Sequence, residues 1–202
     1  MEDSGERFRL FVAIKVPEVV RNEIICVQRD LQPLAPRGMV RWTKAEQFHL
    51  TLRFLGDVSS DRIADLLETV RLVCSDKPVL NLYAHGIGFF PNARSPRVIW
   101  VGVNDAENYL AKLQEQIESA VSPFTTEPNG GYFIGHITLG RLKHFNRLEI
   151  VKLTGAAERM KDRQFSKWTA CEVEVVKSQL SKNGTTYTTL AVCPLRAKIE
   201  LA

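Results

Sequence analysis

A chain of 202 residues with 45% hydrophobic side chains is long enough to bury a core, as one domain or as two small lobes. The net charge of +4 favours anionic partners, but it excludes the dense basic tracts of a histone or a ribosomal tail. No apolar run approaches the ~20 residues that span a bilayer, and residues 1–9 lack the pattern of a signal peptide, so we expect a cytoplasmic protein without a membrane partner.

The first half of the chain predicts strand, helix, strand and helix. Alternating apolar residues favour strands, spacings of three and four favour helices, and proline and serine mark where helices begin. The predicted elements are a strand at 7–15, a helix after Pro17 with Val20, Ile24, Val27 and Leu31 inward, a short strand at 40–42, a strand from His49 to Gly56, and a helix after Ser59-Ser60.

The second half continues with strands and helices in a similar order. The predicted elements are strands at 79–89 and 97–103, a helix at 107–121, a strand from His136, a helix at 147–161, a strand from Trp168 to Leu180 and a strand at 187–192. Asn183-Gly184 suits the tight turn of a hairpin between the last two strands.

Cysteine usage also bears on the compartment. The four cysteines lie far apart, each in an apolar run: Cys26, Cys74, Cys171 and Cys193. This pattern predicts free, buried thiols in a reducing compartment and no disulfide framework.

One short motif occurs twice. His49-Leu50-Thr51-Leu52 and His136-Ile137-Thr138-Leu139 each place a histidine two positions before a threonine, with aliphatic residues between. Successive side chains of a strand point to opposite faces, so His49, Thr51 and Arg53 are predicted to share one face, and Leu50, Leu52 and Phe54 the other. Two such strands side by side would form a cleft with two imidazoles and two hydroxyls.

Two imidazoles facing one cleft suit proton transfer near neutral pH, since one ring can accept a proton while the other donates one. Cleavage of a phosphodiester needs this division, and threonine hydroxyls can donate hydrogen bonds to the phosphoryl oxygens. A metal site is disfavoured because the His-x-Thr spacing brings no second ligand close and the cysteines lack zinc spacing. His85 and His144, without a threonine two positions later, are interpreted as structural residues.

The two motifs resemble the paired His-x-Thr motifs of the 2H phosphoesterase superfamily, and their surroundings resemble its RNA 2′,3′-cyclic phosphodiesterase branch, also called 2′-5′ RNA ligases. Further similar segments are residues 9–14, 48–56 and 96–102 and the closing hairpin at 180–190. The resemblance implies an α+β, bilobal fold, with two antiparallel-sheet lobes and outer helices around a central cleft. It implies a single domain over residues 1–202 whose pseudo-symmetric lobes each carry one motif.

The implied reaction is the metal-independent hydrolysis of the terminal 2′,3′-cyclic phosphate of RNA to a 2′-phosphate, without a cofactor. The resemblance makes His49 the proton donor and His136 the proton acceptor, with Thr51 and Thr138 on the phosphate oxygens. It also implies a partner that is an RNA or oligonucleotide end, and short links between elements favour a monomer without an obligatory protein partner.

Arg141 lies where some relatives carry a phosphate-contacting arginine, but strict alternation places it on the Ile137 face. Either Gly140 breaks the strand and turns Arg141 into the cleft, or Arg141 is a solvated charge. Stacking on bases is expected from Phe48, Tyr132 and the Phe89-Phe90 loop, although core packing is the alternative for these aromatics.

Three other functions use the same motif. Attack by an RNA 5′-hydroxyl in place of water would make the protein a reversible 2′-5′ RNA ligase. A nucleotide- or RNA-end-binding module would keep the phosphate pocket without turnover, although binding alone would not require both an acid and a base. A phosphodiesterase for small cyclic nucleotides or ADP-ribose cyclic phosphate would share the four residues.

Overall fold

The computed structural model describes residues 5–128, 131–143, 147–181 and 184–196. Within these ranges the chain forms nine strands and four α-helices. The strands are β1 (Arg7–Lys15), β2 (Val40–Trp42), β3 (His49–Ser59), β4 (Leu80–Phe90), β5 (Val98–Asp105), β6 (His136–Leu142), β7 (Gln164–Ala170), β8 (Glu172–Ser181) and β9 (Gly184–Pro194). The helices are α1 (Glu18–Leu31), α2 (Ile63–Cys74), α3 (Tyr109–Val121) and α4 (Arg147–Glu158).

All nine strands belong to one antiparallel sheet. Their order is β7-β4-β5-β6-β3-β1-β8-β9, and β2 pairs with β6. We call β1, β3, β8 and β9 the first half-sheet, and β2, β4, β5, β6 and β7 the second half-sheet. The two halves join where β3 pairs with β6, at Leu50 opposite Ile137. This architecture confirms the predicted α+β class with an antiparallel sheet and outer helices.

Each half-sheet is covered by one helix from the first half of the chain and one helix from the second half. The α2 and α3 helices pack together over β3, β8 and β9, whereas α1 and α4 pack against the second half-sheet, on β7 and β4. Pro17 occupies the N-cap of α1, and the four residues predicted to face inward from this helix are all buried. The chain therefore crosses repeatedly between the half-sheets. A duplication behind the two lobes stays a prediction.

Two predicted strand boundaries are wrong. The β3 strand does not end at Gly56, which adopts a positive φ of 65° inside the strand, and β3 continues to Ser59. The single strand predicted from Trp168 to Leu180 is two strands that separate at Cys171. They pair in different half-sheets, β7 with β4 and β8 with β1. An alternating pattern carries no information about which partner a strand finds, so the break was not visible in the sequence.

The predicted hairpin is present as β8 and β9, with Ser181 opposite Gly184. Its turn residue Asn183 lies outside the described residues, as does His144. The four cysteines are free, but only Cys74 and Cys193 are buried, while Cys26 and Cys171 are exposed, so the prediction of four buried thiols is half wrong. Burial raises the pKa of the Cys74 thiol to about 12, so this group stays protonated. None of the helices in the described ranges is both long and apolar enough to cross a membrane.

Candidate functional site

The two His-x-Thr motifs meet at the junction of the half-sheets. Leu50 and Ile137 are fully buried and form the single residue pair of the β3–β6 contact. In an antiparallel pair this register sets His49 opposite Thr138 and Thr51 opposite His136. Buried aliphatic side chains thus hold the two strands together on the core face of the sheet. The four polar side chains lie together on the opposite face.

These four residues line a cleft of about 690 Å³. Its volume lies within the ~300–1,000 Å³ that is usual for small-molecule sites. The other lining residues are Arg9, Phe11, Arg41, Trp42, Thr43, Lys44, Gln47, Phe54, Gly56, Glu127, Arg141, Ser178, Leu180, Gly184, Thr185 and Tyr187. Basic and aromatic side chains dominate this wall, and Glu127 is the single carboxylate in it among the described residues.

Both motif strands carry the same irregularity one residue after the threonine. In β3 the register passes from Thr51 to Arg53, which leaves Leu52 without an opposite residue on β1. In β6 it passes from Thr138 to Gly140, which leaves Leu139 without an opposite residue on β5. Such a bulge adds one residue to one strand and reverses the alternation beyond it.

The bulge at Leu52 overturns the predicted positions of Arg53 and Phe54. Phe54 lines the cleft, and its ring centroid lies 5.8 Å from that of Phe11. Arg53 points away from the cleft and is 8% exposed. Its guanidinium donates hydrogen bonds to the backbone oxygens of Glu127 at 2.7 Å and Pro128 at 2.9 Å.

Arg53 also forms an ion pair, with its Nε 3.0 Å from Glu118 Oε2 but without the alignment of a hydrogen bond. Glu118 belongs to α3, so Arg53 joins this helix to the segment that carries Glu127 into the cleft. The role of Arg53 is therefore structural.

The bulge at Leu139 likewise turns Arg141 into the cleft, which decides between the two alternatives for this residue in favour of the cleft. The predicted cause was wrong, because the strand does not break at Gly140 but continues to Leu142. Gly140 instead makes room for β2, since a Cβ atom there would lie 2.7 Å from Val40 Cγ1 and 3.2 Å from the Arg41 backbone oxygen.

None of the aromatic residues predicted to stack on bases is in the cleft wall. Phe48 is 5% exposed and packs in the main hydrophobic core, so core packing is the correct interpretation for it. Tyr132 is 93% exposed on the segment before β6, outside the cleft wall. Phe89 is buried, whereas the Phe90 ring lies 4.9 Å from the His136 ring.

Sequence reasoning missed the aromatics beside His49. Phe11 and Tyr187 approach the His49 ring at centroid distances of 4.8 and 5.4 Å. Phe11 carried a signal, because a large apolar residue on the face of β1 opposite Leu10 and Val12 has to pack against something. Tyr187 on β9 carried none, since its approach depends on the fold of the closing hairpin.

The two imidazoles are oriented in the same way. His49 Nδ1 lies 2.7 Å from the Gln47 backbone oxygen, and His136 Nδ1 lies 2.8 Å from the Ile134 backbone oxygen. A carbonyl oxygen only accepts hydrogen bonds, so each Nδ1 carries a proton and donates it. The Nε2 atom of each ring is therefore the one that gains or loses a proton.

Burial is the main cause that lowers the pKa of both histidines below the ordinary value near 6.5. The hydrogen bond to the backbone opposes this shift in each case, and the positive charge of Arg141 adds to it. The charge of His136 lowers the pKa of His49 further. At neutral pH and without an anion in the cleft, both rings are therefore mainly neutral. A bound anion would favour the protonated form.

Among the described residues, no group of three or more histidine, cysteine, aspartate or glutamate side chains is placed to hold a metal ion. The cleft instead offers hydroxyl and guanidinium donors around two imidazoles. Such a donor set matches a phosphate oxygen.

Comparisons with known proteins show which family the chain belongs to. Residues 14–100 match the family model of LigT-like phosphoesterases, a segment that includes the first motif. The chain is 31% identical over 179 residues to the RNA 2′,3′-cyclic phosphodiesterase of Methanocaldococcus jannaschii, covering 89% of this chain and 96% of that protein. It is 27% identical over 187 residues to the protein of the same name from Methanothermobacter thermautotrophicus, covering 92% and 98%.

Solved structures show the same fold. A crystal structure from Thermus thermophilus superposes with a TM-score of 0.77 at 26% identity, covering 94% of this chain and 99% of that one. E. coli LigT in complex with 3′-AMP superposes with a TM-score of 0.73 at 25% identity, with the same coverage. The structural similarity therefore extends over both half-sheets.

Proposed function

Because the chain belongs to the family of LigT-like phosphoesterases, we propose that it hydrolyses the terminal 2′,3′-cyclic phosphate of RNA to a 2′-phosphomonoester. The observation that carries this proposal is the junction at Leu50 and Ile137, which sets two imidazoles and two hydroxyls on one face of the cleft. The relatives from Methanocaldococcus and Methanothermobacter carry the name of this activity.

In the proposed reaction His136 Nε2 takes a proton from water, whose oxygen attacks the phosphorus atom. The P–O3′ bond breaks, and His49 Nε2 donates its proton to O3′. The 2′-phosphate remains on the RNA, one water is consumed, and proton exchange with solvent restores both rings. The assignment of donor and acceptor rests on the family resemblance, since the two rings have equivalent hydrogen bonds to the backbone.

The threonines and Arg141 stabilise the negative charge that develops on the non-bridging phosphate oxygens. Thr51 and Thr138 lie diagonally across the junction, so their hydroxyls can donate hydrogen bonds to different non-bridging oxygens. The guanidinium of Arg141 adds positive charge on the same wall. The negative charge of the bound phosphate in turn offsets the lowering of the His49 pKa by Arg141. It therefore favours the protonated His49 ring, which is the form that can donate a proton.

The proposal needs no metal and no cofactor, because two titratable groups supply both proton transfers. We further propose that the working unit is a single chain in the cytoplasm. An RNA end is the partner, and the basic residues of the cleft wall suit its charge.

The first test is mass spectrometry of a short RNA that ends in a 2′,3′-cyclic phosphate, after incubation with the protein and EDTA. The expected product has gained one water and carries a 2′-phosphate, and it is absent with the His49→Ala/His136→Ala variant. Loss of activity on chelation would contradict the metal-free mechanism. An unchanged RNA would favour a binding module, and a product joined through a 2′-5′ linkage would favour a ligase.

Single substitutions test the residue roles. His49→Ala and His136→Ala are each expected to lower turnover about 100- to 10,000-fold, the usual loss for a general acid or base. Thr51→Ala and Thr138→Ala should cost less, about 10- to 1,000-fold, because each removes one donor to the phosphate. Circular dichroism should show that all four variants stay folded. Normal turnover by His49→Ala would refute its role as proton donor.

A further inference from the structure

We propose that Arg9 and Arg41 form a second phosphate site, which binds the phosphodiester one nucleotide before the cyclic end. The enzyme would then recognise the end of an RNA strand in preference to an isolated nucleotide. This inference rests on the proposed function and specifies its substrate class. Both arginines line the cleft, but neither is part of the two motifs.

The first observation is a pair of like charges. Arg41 on β2 lies directly opposite Arg141 on β6, and both side chains are exposed in the cleft wall. Like charges directly opposite each other on a sheet are destabilising. In the part of the chain that the structure describes, no carboxylate pairs with either guanidinium. An anion bound between or beside them would remove this repulsion.

The second observation is that Arg9 reaches the same cleft from the other half-sheet. Arg9 precedes Phe11 by two positions on β1, so it shares the face on which Phe11 contacts His49. Its opposite residue on β3 is Asp57, yet the two side chains form no ion pair in the described structure. Among the described residues, Arg9 and Arg41 are therefore unpaired cations that line one cleft from different half-sheets.

Tyr187 connects these cations to the catalytic residues. Its ring meets the His49 ring edge to face, at 5.4 Å. Burial raises the pKa of the Tyr187 hydroxyl, while the charges of Arg141, Arg41 and Arg9 act on it in the opposite direction. All three guanidiniums therefore lie within electrostatic reach of one phenol. Arg141 is also the one whose charge acts on both histidines.

This distribution matches the charges of an RNA end. The cyclic phosphate would occupy the four motif residues and Arg141, which leaves Arg9 and Arg41 for the next negative charge along the strand. The terminal nucleoside of an RNA strand is joined to the preceding nucleotide through a phosphodiester, which carries this negative charge. Three aromatic residues line the same cleft beside His49, and they can contact the nucleoside by stacking: Phe11, Phe54 and Tyr187.

The test uses two matched dinucleotides that both end in a stable 2′-phosphate. One has the natural phosphodiester between its nucleosides, and the other has a neutral methylphosphonate there. Binding to the wild-type protein, to Arg9→Gln/Arg41→Gln and to Arg29→Gln is measured by calorimetry. Arg29 is an exposed residue of α1 that does not line the cleft, so its variant shows the effect of removing one positive charge elsewhere on the surface.

The wild-type protein is expected to bind the phosphodiester about 10- to 100-fold more tightly than the methylphosphonate, the usual value of hydrogen bonds to a charged group. In Arg9→Gln/Arg41→Gln this ratio should fall towards one, and in Arg29→Gln it should stay at the wild-type value. The dependence of log Kd on log salt concentration should also become less steep in the double variant.

A wild-type ratio near one, or an unchanged ratio in the double variant, would overturn the inference. Because the readout is binding of a product, it is independent of turnover. Hydrolysis of a nucleoside 2′,3′-cyclic phosphate is measured separately on the same preparation. Absence of this hydrolysis would contradict the proposed function, but it would not change the result of the binding experiment on the second phosphate site.

Discussion

At the scale of single residues, each imidazole is held by a hydrogen bond to the backbone oxygen two positions before it. This contact follows from the local chain, since Gln47 and Ile134 precede the two histidines by the same distance. It fixes the ring orientation. In the described part of the chain no neighbouring negative charge raises the pKa of either histidine, whereas burial and Arg141 lower the pKa of both.

Arg141 is expected to set the pH dependence of turnover as well as to contact the phosphate. In Arg141→Gln the positive charge is gone, so the pKa of both histidines should rise. Both limbs of the profile of kcat/KM against pH should move to higher pH, and kcat/KM should fall about 10- to 100-fold with the loss of a charged hydrogen bond.

The histidine pKa values are measured by NMR titration of the ring Cε1 protons. Arg141→Lys keeps the charge but not the planar guanidinium, so it should restore the positions of the limbs more than the rate. Unchanged titration curves in Arg141→Gln would show that the guanidinium does not act on the imidazoles.

At the scale of elements, the two bulges explain why strict alternation predicted the correct face for the histidines and threonines but not for the residues that follow them. Up to Thr51 and Thr138 the faces are as predicted, because no bulge precedes them in either motif. Beyond Leu52 and Leu139 the faces reverse, and nothing in the composition of these strands indicates an extra residue. The sequence could therefore identify the four motif residues, but it could not place Phe54 or Arg53.

The Gly140 position tests how closely β2 must approach β6. In Gly140→Ala the new methyl group would meet Val40 and the backbone of Arg41, so β2 should shift and the free energy of unfolding should fall by about 1–3 kcal/mol. Gly155→Ala is the matched control, because only the end of Arg159 lies near, at 3.9 Å, inside α4. It should stabilise the protein by about 0.5–1 kcal/mol.

Urea denaturation of both variants measures these changes. Opposite signs for the two glycines are the expected result. A neutral effect of Gly140→Ala would show that β2 accommodates the methyl group without strain.

At the scale of the whole molecule, burial of two histidines in the cleft couples folding to pH. Their pKa values are lowered in the folded protein, so the unfolded chain binds protons more readily. Their contribution to stability is fully present above about pH 6.5, the ordinary histidine pKa, and is lost as the pH falls through the lowered values.

The free energy of unfolding should therefore decrease below about pH 6.5, and it should decrease less in His49→Gln/His136→Gln, which cannot take up these protons. Denaturant titrations of both proteins from about pH 5 to about pH 8 measure this difference in the free energy of unfolding. Parallel curves for the two proteins would show that the cleft does not depress these pKa values.

The sequence predicted the helices of the molecule more completely than the pairing of its strands. Helical spacing depends on neighbours along the chain, and α1 buries the four residues that its spacing predicted. Strand pairing depends on distant segments, which is why β7 and β8 were predicted as one strand although they lie in different half-sheets. The approach of Arg9, Arg41 and Tyr187 to one cleft has the same origin.

The pairing of β1 with β8 has a consequence for synthesis of the chain. Among the described elements β1 is the first to leave the ribosome, and its neighbour β8 is the last but one. Until β8 emerges, one edge of β1 has no partner, and an unpaired edge is a template for association between chains. A nascent chain stalled before Cys171 would therefore expose this edge, so we expect such truncated chains to be captured by chaperones or to aggregate.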